Sequence, residues 1–227
     1  MTEDSILGLS RIIQTSIPSD SVILIAGGPG TLKSGFVGTY ISNAIKGTDM
    51  MGVYLTVEEA KDSLLRNWKE LKIDIPDSLK IIDFRDIRRE LQPTEDTHAL
   101  SFLEEVISSE QLLGEDKFRF FALDSLGALY SMIGRDAVRS KLFTVFQKLK
   151  EFGLTAFFIY EEKRGFEYDF EMADEAFLTD GIIKLGITTK GSRFIRVEKM
   201  RACKHSMQPH HLDVGPHGLS ILGPRLE

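Results

Sequence analysis

Gly27-Gly28-Pro29-Gly30-Thr31-Leu32-Lys33-Ser34 is the stretch on which the fold and chemistry of this 227-residue chain turn. It follows an apolar run, Val22-Ile23-Leu24-Ile25-Ala26, and precedes a segment from Lys33 to Lys46 that reads as a helix. Strand, Gly-rich turn and helix are the context a phosphate-binding loop needs. In such a loop successive backbone N–H groups point inward at the positive end of the following helix, where they meet phosphate. The lysine, Lys33, would reach the β- and γ-phosphates, and the Ser34 hydroxyl would ligate Mg²⁺. One residue departs from the pattern. Leu32 stands where glycine is expected, so a branched side chain must fit at a backbone position that glycine tolerates better.

Outward from the loop, strand and helix patterns alternate. Met51 to Leu55, Leu79 to Asp83, Phe118 to Leu123 and Leu154 to Tyr160 read as short apolar strands. Ala60 to Leu71 reads as a helix with Leu64, Leu65, Trp68 and Leu71 on one face. Further helices are expected around Glu95 to Glu110, with Leu100, Leu103, Val106 and Ile107 on one side, and from Ala137 to Phe152, with Leu142, Val145, Phe146 and Leu149 inward. This alternation predicts an α/β fold with a mostly parallel central sheet flanked by helices. The last quarter changes character. Gly181 to Leu185 and Phe194 to Val197 read as paired strands, and a hairpin is expected from His211 to Val214 and Leu219 to Leu222. Antiparallel strands should therefore close one side of the sheet.

With 42% hydrophobic and 27% charged residues the chain has the balance of an ordinary globular protein. Its length suits one domain, and no linker or repeat marks a boundary, so residues 1–227 are expected to form one unit. The net charge of −6 offers no general attraction for nucleic acid or an anionic membrane. No apolar run approaches the length of a membrane span, and the N-terminus lacks a secretion signal. A single cysteine, Cys203, cannot form an intramolecular disulfide and suits a reducing cytosol.

Four further features fall at the ends of predicted strands, where ligands sit in open α/β sheets. Glu58-Glu59 follows the Tyr54-Leu55 strand, and a carboxylate there could polarise a water for attack on a γ-phosphate. Taken alone, a pair of acids favoured at a helix start explains them more simply. Asp124-Ser125 ends a buried strand and could hold Mg²⁺, or serve as a helix or turn cap. Lys199-Met200-Arg201 follows the second of the paired late strands; it reads as a solvated basic tip or as a contact to phosphates on a neighbouring subunit. Glu161-Glu162 follows Tyr160, with no role fixed by the sequence.

Taken together these segments resemble the KaiC branch of the RecA-like ATPases, which includes many single-domain archaeal members. The resemblance rests on Ser21 to Thr31, Glu58-Glu59-Ala60 with Leu64 to Asn67, Leu123 to Leu126, Leu178 to Ile183, and Lys199-Met200-Arg201 with His205-Ser206. It implies a RecA-like core in which a third strand separates the phosphate-loop strand from the Walker B strand. It implies ATP and Mg²⁺ at the interfaces of a homo-oligomer, a hexameric ring, in the cytoplasm. Carried over residue by residue, Gly28, Pro29, Gly30, Thr31, Leu32, Lys33 and Ser34 form the Walker A cradle and Asp124 the Walker B carboxylate. Ser34 and Asp124 then serve the metal, Glu58 or Glu59 activates water, and Lys199 and Arg201 act on the neighbour's nucleotide. In that family's double-domain clock protein, two hydroxyl residues ahead of a Thr-Asp pair accept phosphate. Ala176 and Phe177 stand there in this chain, so such autophosphorylation is not expected.

Three functions compete on these grounds. The first is a regulatory Mg²⁺-dependent ATPase whose ring signals to a protein partner. The second is a non-hydrolysing scaffold or sensor, weakened by Leu32. The third is a recombinase-like DNA-binding module, against which the acidic balance and the lack of a basic, aromatic-rich stretch weigh.

Overall fold

A computed structural model describes residues 4–14, 16–85, 103–110, 116–133, 135–162 and 174–224. Its frame is a sheet of nine strands: β1 (Val22–Gly27), β2 (Met51–Thr56), β3 (Leu79–Asp83), β4 (Phe118–Asp124), β5 (Thr155–Glu161), β6 (Gly181–Ile187), β7 (Arg193–Met200), β8 (His210–Gly215) and β9 (Gly218–Pro224). Their spatial order is β3-β2-β4-β5-β1-β6-β7-β8-β9. The first six of that order pair in parallel. The remaining three add on as antiparallel neighbours. The fold is therefore the expected one, and β5 lies between β1 and β4 as the resemblance implied.

The central strands are buried on both faces, which is why they read as unbroken apolar runs. Successive side chains alternate between two cores. Ile23, Ile25, Tyr54, Phe120, Phe157 and Ile159 face one core. Val22, Leu24, Val53, Leu55, Phe121 and Phe158 face the other. The first core is covered by α1 (Lys33–Ile45) and α2 (Lys61–Glu70). The second is covered by the helical residues 103–110, here α3, and by α4 (Leu126–Ile133) and α5 (Arg135–Glu151). Leu142, Val145, Phe146 and Leu149 are buried there as predicted, with Leu103, Val106 and Ile107. Leu100 lies outside the described residues.

Helix α4 was not anticipated. It starts immediately after Asp124-Ser125, and its run Leu126 to Ile133 offers little polar contrast by which to recognise a face. The signal was Ser125, whose Oγ accepts the Ala128 N–H at 3.4 Å, as a helix cap does. Helix α2 docks through Trp68, and α1 makes room for it at Gly38. A Cβ on Gly38 would lie 2.5 Å from the indole ring, so a glycine inside this helix is a packing requirement.

Candidate functional site

The parallel strands β1, β2, β4 and β5 bring four segments to one edge of the sheet. The Gly-rich loop follows β1, Glu58-Glu59 follows β2, Asp124-Ser125 closes β4 and Glu161 closes β5. Between them lies a cleft of about 530 Å³ lined by Pro29 to Gly35, Glu58, Glu59, Asp124, Ser125 and Glu161, and on the α2 side by Leu64, Asn67, Trp68 and Leu71. Its size is that of a small-molecule site. All the Walker A, Walker B and paired-glutamate positions anticipated from sequence are thus neighbours, although they are scattered over nearly a hundred residues.

The loop between β1 and α1 turns through two residues of positive φ. Gly30 has φ +76° and Leu32 φ +72°, so both occupy the left-handed region. Leu32 is the N-cap residue of α1, and its side chain packs, partly buried, against the first core. The first turn of α1 has no side-chain cap and no acidic residue. Its leading N–H groups are therefore left for an external acceptor at the positive end of the helix dipole. Thr31 Oγ1 and Lys33 Nζ each donate to the Gly28 carbonyl, both at 2.8 Å. Lys33 is buried and also faces Glu161 at 3.6 Å. Burial pulls the Lys33 amine below its ordinary range, and the carboxylates of Glu161, Asp124 and Glu58 oppose that shift.

Across the cleft the Ser34 hydroxyl donates to Asp124 Oδ2 at 2.5 Å, and Tyr54 donates to the same oxygen at 2.7 Å. Burial pushes the Asp124 carboxyl up, against the two hydroxyl bonds and the charge of Lys33. Burial likewise raises the Tyr54 phenol, reinforced by the negative charge of Asp124. The paired glutamates are not equivalent. Glu59 is held by α2, accepting from Ser63 Oγ at 2.6 Å and Asn67 Nδ2 at 2.7 Å. Glu58 accepts from Ser125 Oγ at 3.2 Å, beside Asp124. Among the described residues no group of three or more His, Cys, Asp or Glu is arranged to hold a metal. A serine hydroxyl, a carboxylate and phosphate oxygens are instead the donor set that suits Mg²⁺, which keeps water and phosphate in its shell. The residues present therefore fit a nucleotide with Mg²⁺.

Three neighbours of this site were missed or left without a role by the sequence. Tyr54 looked like one more apolar strand residue. Glu161 now has a place, beside Lys33. Arg193, after the Thr188 to Ser192 turn, donates through Nε to the Gly30 carbonyl at 3.2 Å. Only the pairing of β6 with both β1 and β7 brings Arg193 there.

Lys199 and Arg201 do not join this edge. They were expected at a strand end where ligands gather, but β7 runs antiparallel to β6, and its register pairs Met200 with Gly181, next to Ile23. Both lie at the amino edge of the parallel strands, opposite the chain's own loop. Nor are they a free basic tip. Lys199 Nζ donates to the carbonyls of Thr179 at 2.5 Å and Ala176 at 3.2 Å. Arg201 meets Asp180 at 3.3 Å, and Asp180 also pairs with Lys150 at 2.7 Å. Burial, then the charge of Arg201, lowers the Lys199 amine. Burial works to raise Asp180, but bonds from Lys150, the Val22 N–H and Arg201 outweigh it and hold the carboxyl below its usual range.

Comparison with known proteins gives the family and the fold. The family model described as "ATPase: KaiC" matches residues 2–225. A UPF0273 protein of Pyrobaculum aerophilum is 30% identical over 233 residues, covering 95% of this chain and 80% of that protein. The circadian clock oscillator protein KaiC of Parasynechococcus marenigrum is 28% identical over 225 residues, 94% of this chain, and the match spans 43% of that longer protein. Among solved structures, a KaiC-like protein of Pyrococcus horikoshii superposes with a TM-score of 0.76 at 20% identity, covering 97% of this chain and 98% of that one, a likeness of fold. Among the described residues no helix is long and apolar enough to cross a membrane.

Proposed function

Since this chain belongs to the KaiC family of ATPases, we propose that it is a cytoplasmic, Mg²⁺-dependent regulatory ATPase whose sites are completed at the subunit interfaces of a ring, a hexamer, with residues 1–227 forming one domain per subunit. The observation that carries the reading is the contact of Ser34 with Asp124 across the cleft from Lys33, at the uncapped start of α1. In this reading Gly28 to Ser34 cradle the phosphates, with Lys33 supplying positive charge. Ser34 and Asp124 hold Mg²⁺, which would neutralise phosphate charge when bound. Glu58, aimed at the Asp124-Ser125 corner, accepts a proton from the water whose oxygen attacks the γ-phosphorus. The bond from that phosphorus to the bridging oxygen breaks, and ADP and phosphate leave. Glu59 orients α2 and its Asn67 against the cleft, and is the weaker candidate for the base.

The amino edge supports the trans part of the reading. Lys150, Lys199 and Arg201 gather around Asp180. These cations cannot reach the chain's own loop, so a phosphate they serve must belong to another copy. Charge developing on its γ-phosphate would be stabilised by Lys199 and Arg201. The output would be a change in the ring's shape, read by a protein partner.

A second reading, a non-hydrolysing scaffold, has one observation in its favour. Leu32 occupies a left-handed conformation that costs a non-glycine residue about 1–2 kcal/mol. Titration with a fluorescent ATP analogue, with and without Mg²⁺, tests binding. Light scattering with ATP and Mg²⁺ should show a species well above the 25.6 kDa monomer. Glu58→Gln should lower turnover at least about tenfold while affinity holds, because a water-activating group acts in the transition state. Binding without any hydrolysis in the wild-type protein would favour the scaffold.

A further inference from the structure

We propose that Tyr54 is a positioning residue for the Mg²⁺ site: its buried hydroxyl fixes one oxygen of Asp124, so that the other is presented to the shell of the cation. The inference rests on the phosphate-site reading above and adds a residue to it.

Tyr54 lies in the middle of β2 and is fully buried. The places paired with it on the adjacent strands are Ile81 and Ala122, which face the same core and carry no polar side-chain atom. A phenol in such a place costs stability unless its hydroxyl is bonded. Tyr54 spends that hydroxyl on Asp124 Oδ2, the oxygen that also accepts from Ser34. The two donors differ in what a cation would ask of them. Ser34 would have to share its oxygen with the metal while its proton stays on Asp124. Tyr54 is enclosed in the core, so its bond would survive metal arrival unchanged.

The ring is fixed as well. It meets Trp68 edge-on, with centroids 4.8 Å apart and planes at 85°. Trp68 in turn is seated against Gly38 of α1. The phenol is thereby tied through packing to both helices beside the cleft. A group that orients a metal-bound carboxylate is worth about tenfold to a hundredfold in metal affinity. A tyrosine that merely fills the core would have no selective effect on Mg²⁺.

Tyr54→Phe keeps the ring and removes one oxygen. Binding of a fluorescent ATP analogue is measured as a function of Mg²⁺ concentration and again in EDTA, with thermal melting in EDTA to verify folding. The expected result is a Mg²⁺ midpoint raised about tenfold or more, with affinity in EDTA changed by less than about twofold. In an Asp124→Asn background the same substitution should add no further shift. An unchanged midpoint, an equal loss with and without Mg²⁺, or a shift that persists in the Asp124→Asn background each overturns the role of Tyr54 alone. Wild-type protein that binds no nucleotide with Mg²⁺ present overturns the phosphate-site reading, and this inference with it.

Discussion

The two edges of the parallel sheet treat charge in opposite ways. At the carboxyl edge, Asp124 is buried and held by hydroxyls, and burial raises its carboxyl. At the amino edge, Asp180 is held by cations and by the Val22 N–H, which together keep its carboxyl low. Hydroxyls position a carboxylate without neutralising it, which in the proposed function leaves Asp124 to meet a cation from outside. Salt bridges neutralise Asp180, yet two cations share it and Lys199 adds a third nearby. In the proposed function one edge would receive a cation with its anion, while at the other three cations gather around the single carboxylate of Asp180. A second copy of the chain, docked edge to edge, would match them.

The contrast breaks most sharply under paired substitutions. Lys33→Ala should weaken ATP binding by about 3 kcal/mol, roughly a hundredfold, because a charge-assisted contact to phosphate is lost inside a desolvated cleft. Arg201→Ala should leave affinity within about threefold, yet lower turnover on the order of a hundredfold if the guanidinium serves a neighbour's transition state. Both are read by titration with a fluorescent analogue beside a phosphate-release assay. If Arg201→Ala weakens binding as much as Lys33→Ala and leaves the rate per bound nucleotide unchanged, the two edges do not divide the labour as proposed.

A smaller effect separates the edges by pH. The depressed Asp180 carboxyl means that the unfolded chain binds its proton more readily than the folded one. Its contribution is therefore fully present above the ordinary carboxylate value, about pH 4, and is lost as pH falls through the lower folded value. Asp180→Asn should cost about 2 kcal/mol at neutral pH, since one acceptor serves Val22, Lys150 and Arg201. The difference between wild type and variant should shrink on acidification below about pH 4. Urea denaturation at pH 7 and pH 3 measures it, and a gap that widens in acid reverses the sign argued here.

The same contrast explains what could be read from sequence. The carboxyl edge is built from local signals: a Gly-rich turn ahead of a lysine, an acid ending an apolar strand, a pair of glutamates after another. The strands announced themselves because burial on both faces makes them continuously apolar. Tyr54 and Arg193 gave no signal, because only register and pairing across distant strands bring them to Asp124 and Gly30. At the amino edge Lys199-Met200-Arg201 was visible as a motif, but its side of the sheet depended on the antiparallel direction of β7. Lys150 lies thirty residues from Asp180 on a helix, and helical periodicity says nothing about an ion pair at its end.

Leu32→Gly should produce the smallest effect, and it bears on whether the carboxyl edge is damaged. Two opposed contributions meet at this residue. Its left-handed backbone costs about 1–2 kcal/mol, which glycine relieves. Its side chain packs partly buried against the first core, and losing about half the burial of a leucine costs about 1 kcal/mol. Glycine also loosens the unfolded chain, a further cost of about 0.5–1 kcal/mol. The balance lies within about 1 kcal/mol of zero, a shift in Tm of about 2–4 °C at most for a chain of this size. For the nucleotide, the conformation that presents the loop is already in place with leucine, and the first turn of α1 is uncapped. ATP affinity of Leu32→Gly should accordingly stay within about threefold of wild type. A tenfold gain would mean that the side chain crowds the phosphates after all, and would move this protein toward the weakened scaffold. Unchanged affinity with a slightly altered Tm would mean that the chain reaches the glycine conformation by strain, and that core packing offsets the strain.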